Sequence, residues 1–184
     1  MVRDWGQSIE SADSYTHGHC ERVARYAEQV ARALGLDAAA ITTIRLGAYL
    51  HDLGKVKVPH EILNKPGKLT DEEFAIIKMH PVWGVELLEE VEFPWDLKPI
   101  IRWHHEKQDG SGYPDRLAGD AIPLGAAIIG IVDVYDALTT TRSYRGAMSH
   151  EEALARMSET SHWWRREIFE AFMRTVGVLE ALAA

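Results

Sequence analysis

Apolar residues recur three and four apart along most of this chain, while runs that alternate every second residue are scarce. A period of 3.6 residues gathers such residues on one helix face, and a chain patterned this way throughout packs helix against helix. Val23, Tyr26, Ala27, Val30 and Leu34 form one such face, in a helix expected to start near Ser14 or Thr16 and to close at Gly35. Asp37 stands where it caps a second helix through Ile41, Ile44, Leu46, Ala48 and Leu50, apolar over much of its surface as a central helix is. Thr70 with Glu73, and Ser149 with Glu152, have the capping-box spacing and open two more helices. Phe74, Ile77 and Met79 lead toward His80, and Pro81 begins a fresh helix. Leu97, Ile100, Ile101 and His104 keep helical spacing. A long apolar helix is expected from Pro123 toward Leu138, and a last one over 165–182 with Phe169, Phe172, Met173, Val176 and Leu179 inward. The fold class predicted is all-α, a helical bundle forming a single domain over residues 1–184.

Composition sets outer limits. At 184 residues and 46% apolar content the chain can bury a full core without disulfide or metal staples. The one cysteine, Cys20, lies in a helical run and reads as a packed thiol, a usage that fits a reducing compartment. No apolar stretch follows Arg3, as a signal peptide would require, and the longest apolar run, 121–132, is too short to span a bilayer and contains Pro123. The expectation is a soluble cytoplasmic protein without a membrane partner. A net charge of −8 makes duplex nucleic acid a poor partner, yet leaves a small anionic substrate open, because bound cations reverse the local field.

Histidine and aspartate recur at His19, His51-Asp52, His80, His104-His105 and Asp133. Each falls at or near an expected helix end or on an apolar helix face. Taken singly, His80 reads as a helix-end residue and Asp133 as a buried carboxylate paired with an arginine. Taken together, they are a mixture of imidazole and carboxylate on stiff elements, the donor set that zinc, iron or manganese binds. Asp52 and Asp133 adjoin apolar runs, where an uncompensated carboxylate is costly and a cation removes the cost. Behind the second histidine pair, Gln108 to Asp120 is rich in glycine and without periodicity, a loop long enough to suggest a function.

At these residues the chain resembles the HD-GYP domains, a subgroup of the HD metal-dependent phosphohydrolases. The resemblance covers about residues 13–160. It rests on Asp13 to His19, on His51-Asp52-Leu53-Gly54-Lys55, on Ile62 to Leu69, on His80-Pro81, on the run from His104 to Pro114, and on Asp133 to Thr139 with Arg142, Tyr144 and Arg145. It implies an HD-superfamily helical bundle, completed by the C-terminal helix, with a signature loop of Asp109, Gly110, Gly112, Tyr113 and Pro114. It implies two divalent ions, iron or manganese before zinc: His19, His51, Asp52 and Asp133 at one, His80, His104 and His105 at the other, and Asp52 bridging them. It implies hydrolysis of cyclic di-GMP to linear pGpG, in some members on to GMP. The alternatives are an HD phosphohydrolase acting on another cyclic dinucleotide or nucleotide, and a weakly active signalling module.

Asp52 and Lys55 are the residues expected to carry the chemistry. Lys55 either reaches a phosphate oxygen or is a solvent-facing helix-end lysine. Tyr113 either contacts substrate or braces the loop, and Arg142 is preferred over Arg145 for a guanine or phosphate pocket. A second copy of the chain, or a regulatory protein of the diguanylate-cyclase type, is the protein partner the resemblance offers, and Trp163-Trp164 is the candidate exposed interface. Where some family members carry a glutamate ligand for a third ion, this chain has Tyr15, so two ions are expected.

Overall fold

The structure, a computed structural model, describes residues 18–141 and 146–183, with side chains as far as Val176. Tyr15, Arg142, Tyr144, Arg145, the Leu179 side chain and a helix start at Ser14 or Thr16 lie outside the described residues. The helices are α1 (His19–Ala33), α2 (Ala38–Leu50), α3 (His60–Leu63), α4 (Asp71–Ile77), α5 (His80–Leu87), α6 (Lys98–Trp103), α7 (Leu124–Thr139), α8 (His150–Glu159) and α9 (Arg166–Ala183). Single 3-10 turns cover Leu53–Lys57, Gly119–Ala121 and Ser161–Trp163. No strand occurs among the described residues, and no helix there is long and apolar enough to cross a membrane.

Local chemistry sets the boundaries. Gly35, at φ 74°, ends α1 by sending its N–H to Arg32 O at 2.9 Å while Leu36 N–H reaches Ala31 O at 3.1 Å, which satisfies two carbonyls of the last turn. The Asp37 carboxylate accepts the Ala40 N–H at 2.8 Å and starts α2. Both capping boxes form, Thr70 with Glu73 and Ser149 with Glu152.

The α1, α2, α7 and α9 helices share the main core, and α1 packs on the other three. Val23, Ala27 and Val30 of α1 meet Ile128, Ile129, Ile131 and Val132 of α7 and Phe172 and Val176 of α9, all fully out of solvent. Burial of each such valine, isoleucine or phenylalanine is worth about 1.5–3 kcal/mol. A smaller cluster of Leu50, Leu88, Leu97 and Ile101 ties the end of α2 to α6. Cys20 is a buried thiol within the helical packing.

Phe74 of α4 and Met79, just before α5, are 45% and 40% exposed and line a groove beside the glycine-rich loop. One expectation changes: Trp163-Trp164 is no exposed pair. Trp164 is 8% exposed within the main core, and the Trp163 ring carries the Lys107 ammonium 3.2 Å from its centroid.

Candidate metal centre

Four helix ends that meet at one side of the bundle each bring a histidine. His19 is the first residue of α1, His51 and Asp52 follow the end of α2, His80 is the first residue of α5, and His104-His105 follow the end of α6. Asp133 comes from the middle of α7. Close backbone approach makes this convergence attainable. A Cβ at Gly54 would run into the His80 carbonyl, and one at Gly130 into the His104 carbonyl. Glycine lets the turn after α2 and the long α7 press directly under two of the histidines.

His19, His51, His80 and His104 are 2% exposed or less, and Asp52 is 5%. The first half of the cluster is His19, His51 and Asp133. The Nε2 atoms of His19 and His51 are 3.3 Å apart, and Asp133 Oδ1 lies 3.4 Å from His19 Nε2 and 4.0 Å from His51 Nε2. The second half is His80, His104 and His105, with His80 and His104 Nε2 atoms again 3.3 Å apart. Asp52 stands between the halves. Its Oδ2 is 3.5 Å from His51 Nε2 and 3.8 Å from His19 Nε2, while its Oδ1 is 3.4 Å from His80 Nε2. Two nitrogens that each lie about 2.0–2.1 Å from one tetrahedral ion are roughly 3.3 Å apart. The donors present therefore fit divalent cations in both spacing and chemistry.

The rings are held from behind so that each Nε2 faces inward. Nδ1 of His51, His80 and His104 is bonded to the carbonyl three residues earlier, at Ala48, Ile77 and Ile101, at 2.7, 2.7 and 2.8 Å. His19, at the start of its helix, uses a carboxylate instead: Asp136 Oδ2 lies 2.7 Å from its Nδ1. Such outer partners fix the tautomer and orientation of a metal-binding imidazole.

The electrostatics follow from burial. Desolvation pushes His104 and His105 well below the ordinary imidazole range, helped by the neighbouring histidines, and it brings His80 down to about 4 against the pull of Asp52. Neutral imidazoles are the form that ligates. Burial alone would raise the Asp52 carboxyl. The Lys55 ammonium, with His51, His80 and His19, outweighs it and holds the carboxyl well below its usual range. Lys55 Nζ sits 2.7 Å from Asp52 Oδ2, so it is a partner of the cluster and not a solvent-facing lysine.

The signature loop lies against the second half. Tyr113 stacks on His105, ring centroids 4.7 Å apart at 31°, and its N–H meets His105 O at 3.3 Å. Burial, then the Asp133 and Asp52 carboxylates, raises the Tyr113 hydroxyl, which stays a protonated donor. Gly112 passes so close that a Cβ there would be 2.5 Å from His105 O and 2.6 Å from Lys107 N. Asp109 stabilises the turn by accepting Ser111 Oγ–H at 2.6 Å. Gly110 takes φ 77°, and Pro114 joins Tyr113 in lining a groove of about 640 Å³ against α4. Phe74, Lys78 and Met79 form the opposite wall, and Lys107 and Arg116 bring further cations to it.

Three residues the sequence reading gave no role complete the arrangement. Asp136 stands behind His19. Buried Glu106 accepts the Asp115 N–H at 2.7 Å. The Asp115 carboxylate takes Arg102 Nε–H at 2.7 Å, Arg102 Nη2–H at 2.9 Å and Trp103 Nε1–H at 2.7 Å, pinning the loop to α6. The i, i+3 spacing of Asp133 and Asp136 was a usable signal for the first of these. The other two depend on a loop path that no periodicity encodes.

A helical bundle whose helix ends converge on two adjoining histidine and aspartate groups defines a protein with a candidate metal centre. The HD domain family matches residues 7–166, and the chain belongs to it. It is 40% identical over 95% of its length to a cyclic di-GMP phosphodiesterase of Vibrio cholerae. It is 44% identical over 81% to the cyclic di-GMP phosphodiesterase response regulator RpfG of Xanthomonas campestris, and 42% over 83% to the 3'3'-cGAMP-specific phosphodiesterase 2 of Vibrio cholerae. The chain spans 39%, 40% and 30% of those three proteins. Among solved structures it shares its fold with Bd1817, an HDG"Y"P protein of Bdellovibrio bacteriovorus, at TM-score 0.69 and 23% identity over 84% of this chain and 50% of that one. The Listeria monocytogenes PgpH HD domain matches at TM-score 0.69 and 18% identity over 98% and 99%.

Proposed function

We propose that this chain is a metal-dependent phosphodiesterase that opens cyclic di-GMP to linear pGpG, with Asp52 joining two ion sites. The observation that carries this reading is the division of one buried carboxylate between two histidine groups, Oδ2 toward His19 and His51 and Oδ1 toward His80. His19, His51, Asp133 and Asp52 would hold one ion, and His80, His104, His105 and Asp52 the other, iron or manganese before zinc. Bound divalent ions supply Lewis acidity toward a phosphate and lower the pKa of water.

The chain's own residues do the rest. The carbonyl- and carboxylate-bonded imidazoles turn their Nε2 atoms inward, toward the ions they would hold. Lys55, 16% exposed at the edge of the cluster, brings a cation to an incoming phosphate. The protonated Tyr113 hydroxyl offers a hydrogen bond where the loop meets the cluster. Arg142, ahead of Arg145, is proposed for the phosphate or guanine of the substrate. The groove beside the loop is of a size that takes a small ligand, and Lys78, Lys107 and Arg116 suit an anionic one. Exposed Phe74 and Met79 in the same groove give a regulatory protein or second copy a surface to dock on.

The second reading, 3'3'-cGAMP as substrate, is favoured by relatives of that specificity at 42% and 40% identity. Incubating the manganese- or iron-loaded chain with cyclic di-GMP, 3'3'-cGAMP and a linear dinucleotide, and resolving products by chromatography, separates them. Preferred conversion of cyclic di-GMP to pGpG is expected. Exclusive turnover of 3'3'-cGAMP selects the second reading, and turnover of neither cyclic compound overturns both.

A further inference from the structure

Three of the five clustered histidines are held by the same local device, and His19 is held differently. His51, His80 and His104 each bond Nδ1 to the carbonyl three residues earlier in the chain. His19 opens α1 directly after Gly18, whose φ of 70° leaves the helical region, and its Nδ1 partner comes from 117 residues away. That partner, Asp136, is 2% exposed and is itself tied down: Arg22 Nε meets Oδ1 at 2.5 Å, Arg22 Nη2 meets Oδ2 at 3.0 Å, and Thr140 Oγ1 lies 3.5 Å from Oδ2. Arg22 is one turn beyond His19 on α1, and Asp136 one turn beyond Asp133 on α7. The two helices thus meet through an arginine–carboxylate–imidazole chain directly behind the first half of the centre.

We propose that Asp136 is the positioning residue of the first half-site, keeping the His19 proton on Nδ1 so that Nε2 presents a lone pair beside His51 and Asp133. The inference rests on the metal-site reading above. A carboxylate accepts only, so an imidazole bonded to it through Nδ1 must carry its proton there. An amide in the same place can donate, and it then favours the proton on Nε2, the tautomer that cannot ligate. In the three-histidine half-site His80 and His104 are held by backbone carbonyls and His105 lies against Tyr113, so that half does not need Asp136. Losing Asp136 therefore weakens one ion and spares the other.

The test compares the full chain with Asp136→Asn and Asp136→Ala, and with Arg22→Gln, which keeps the carboxylate on His19. Manganese titration of metal-stripped protein, read by bound ions per chain, is expected to show two sites in the unaltered chain. In both Asp136 variants one site should weaken by about 10- to 100-fold, the usual cost of removing an outer partner, with the other unchanged; Arg22→Gln should fall short of that loss. Nitrogen-15 spectra of the metal-free unaltered chain in alkaline buffer give a readout that needs no variant to fold: His19 is expected as the Nδ1–H tautomer. Two undiminished sites in Asp136→Asn, loss of both sites together, or an Nε2–H tautomer in the unaltered chain overturns the positioning role while leaving the proposed function standing. An unaltered chain that binds no ion overturns both.

Discussion

A carboxylate held away from water costs several kcal/mol unless positive charge or donors meet it, and the Lys55 ammonium meets Asp52 at 2.7 Å. Lys55 binds Oδ2, and His51, His80 and His19 surround the group within 3.8 Å. Lys55 is thereby separable from the ion donors. Lys55→Met is expected to leave the bound-ion count unchanged and to lower kcat on the order of 100-fold, the scale for losing one preorganised contact to a developing charge. Unchanged turnover in a metal-replete preparation would return Lys55 to a purely structural role. Gly112 makes an equally local case. The atoms a Cβ would meet are backbone atoms of His105, Glu106 and Lys107, which cannot swing aside. Gly112→Ala is expected to cost about 1–3 kcal/mol of stability by overpacking, seen as a lowered thermal midpoint, with weakened ion binding at the His105 side. That these histidines and aspartates gather was legible in the sequence, because their types stand near helix ends or, for Asp133, on an apolar helix. Their supports were less so: Asp133 and Asp136 stand one turn apart on the same helix, and spacing alone does not say which meets the cation and which meets the back of His19.

Elements were legible where their signals are local. Asp37 bonds Ala40 N–H three residues on, and Thr70 and Glu73 exchange bonds over the same distance, so the caps could be read directly from the chain. Thr70→Ala is accordingly expected to cost about 1 kcal/mol, measured by denaturant unfolding, without changing the ion count. The loop from Gln108 to Asp120 was legible as a loop but not as a clamped one. Its order comes from Asp115 bonding Arg102 and Trp103, and from Glu106 bonding Asp115, contacts 9 to 13 residues apart that follow no period. Asp115→Ala is expected to speed tryptic cleavage at Lys107 or Arg116 relative to the unaltered chain. Equal cleavage rates would show that Tyr113 stacking on His105 orders the loop unaided.

For the molecule as a whole, the core and the centre are built by the same helices. α7 gives Ile128, Ile129, Ile131 and Val132 to the main core while carrying Asp133 and Asp136. α9 begins where the family match ends, yet Ile168, Ala171, Phe172 and Val176 belong to that core. Ions that bind only the folded bundle stabilise it by mass action. A chelator is therefore expected to lower the thermal midpoint, and added manganese to restore it, whereas a chain without Asp52 should respond to neither. The most direct test of the central claim is the turnover of cyclic di-GMP by two metal-loaded proteins, the unaltered chain and Asp52→Ala, with bound ions counted in the same samples. The expected result is linear pGpG from the chain that holds two ions, and neither pGpG nor a full ion complement from Asp52→Ala. Hydrolysis by Asp52→Ala at the unaltered rate, or a two-ion chain that leaves cyclic dinucleotides intact, would contradict it.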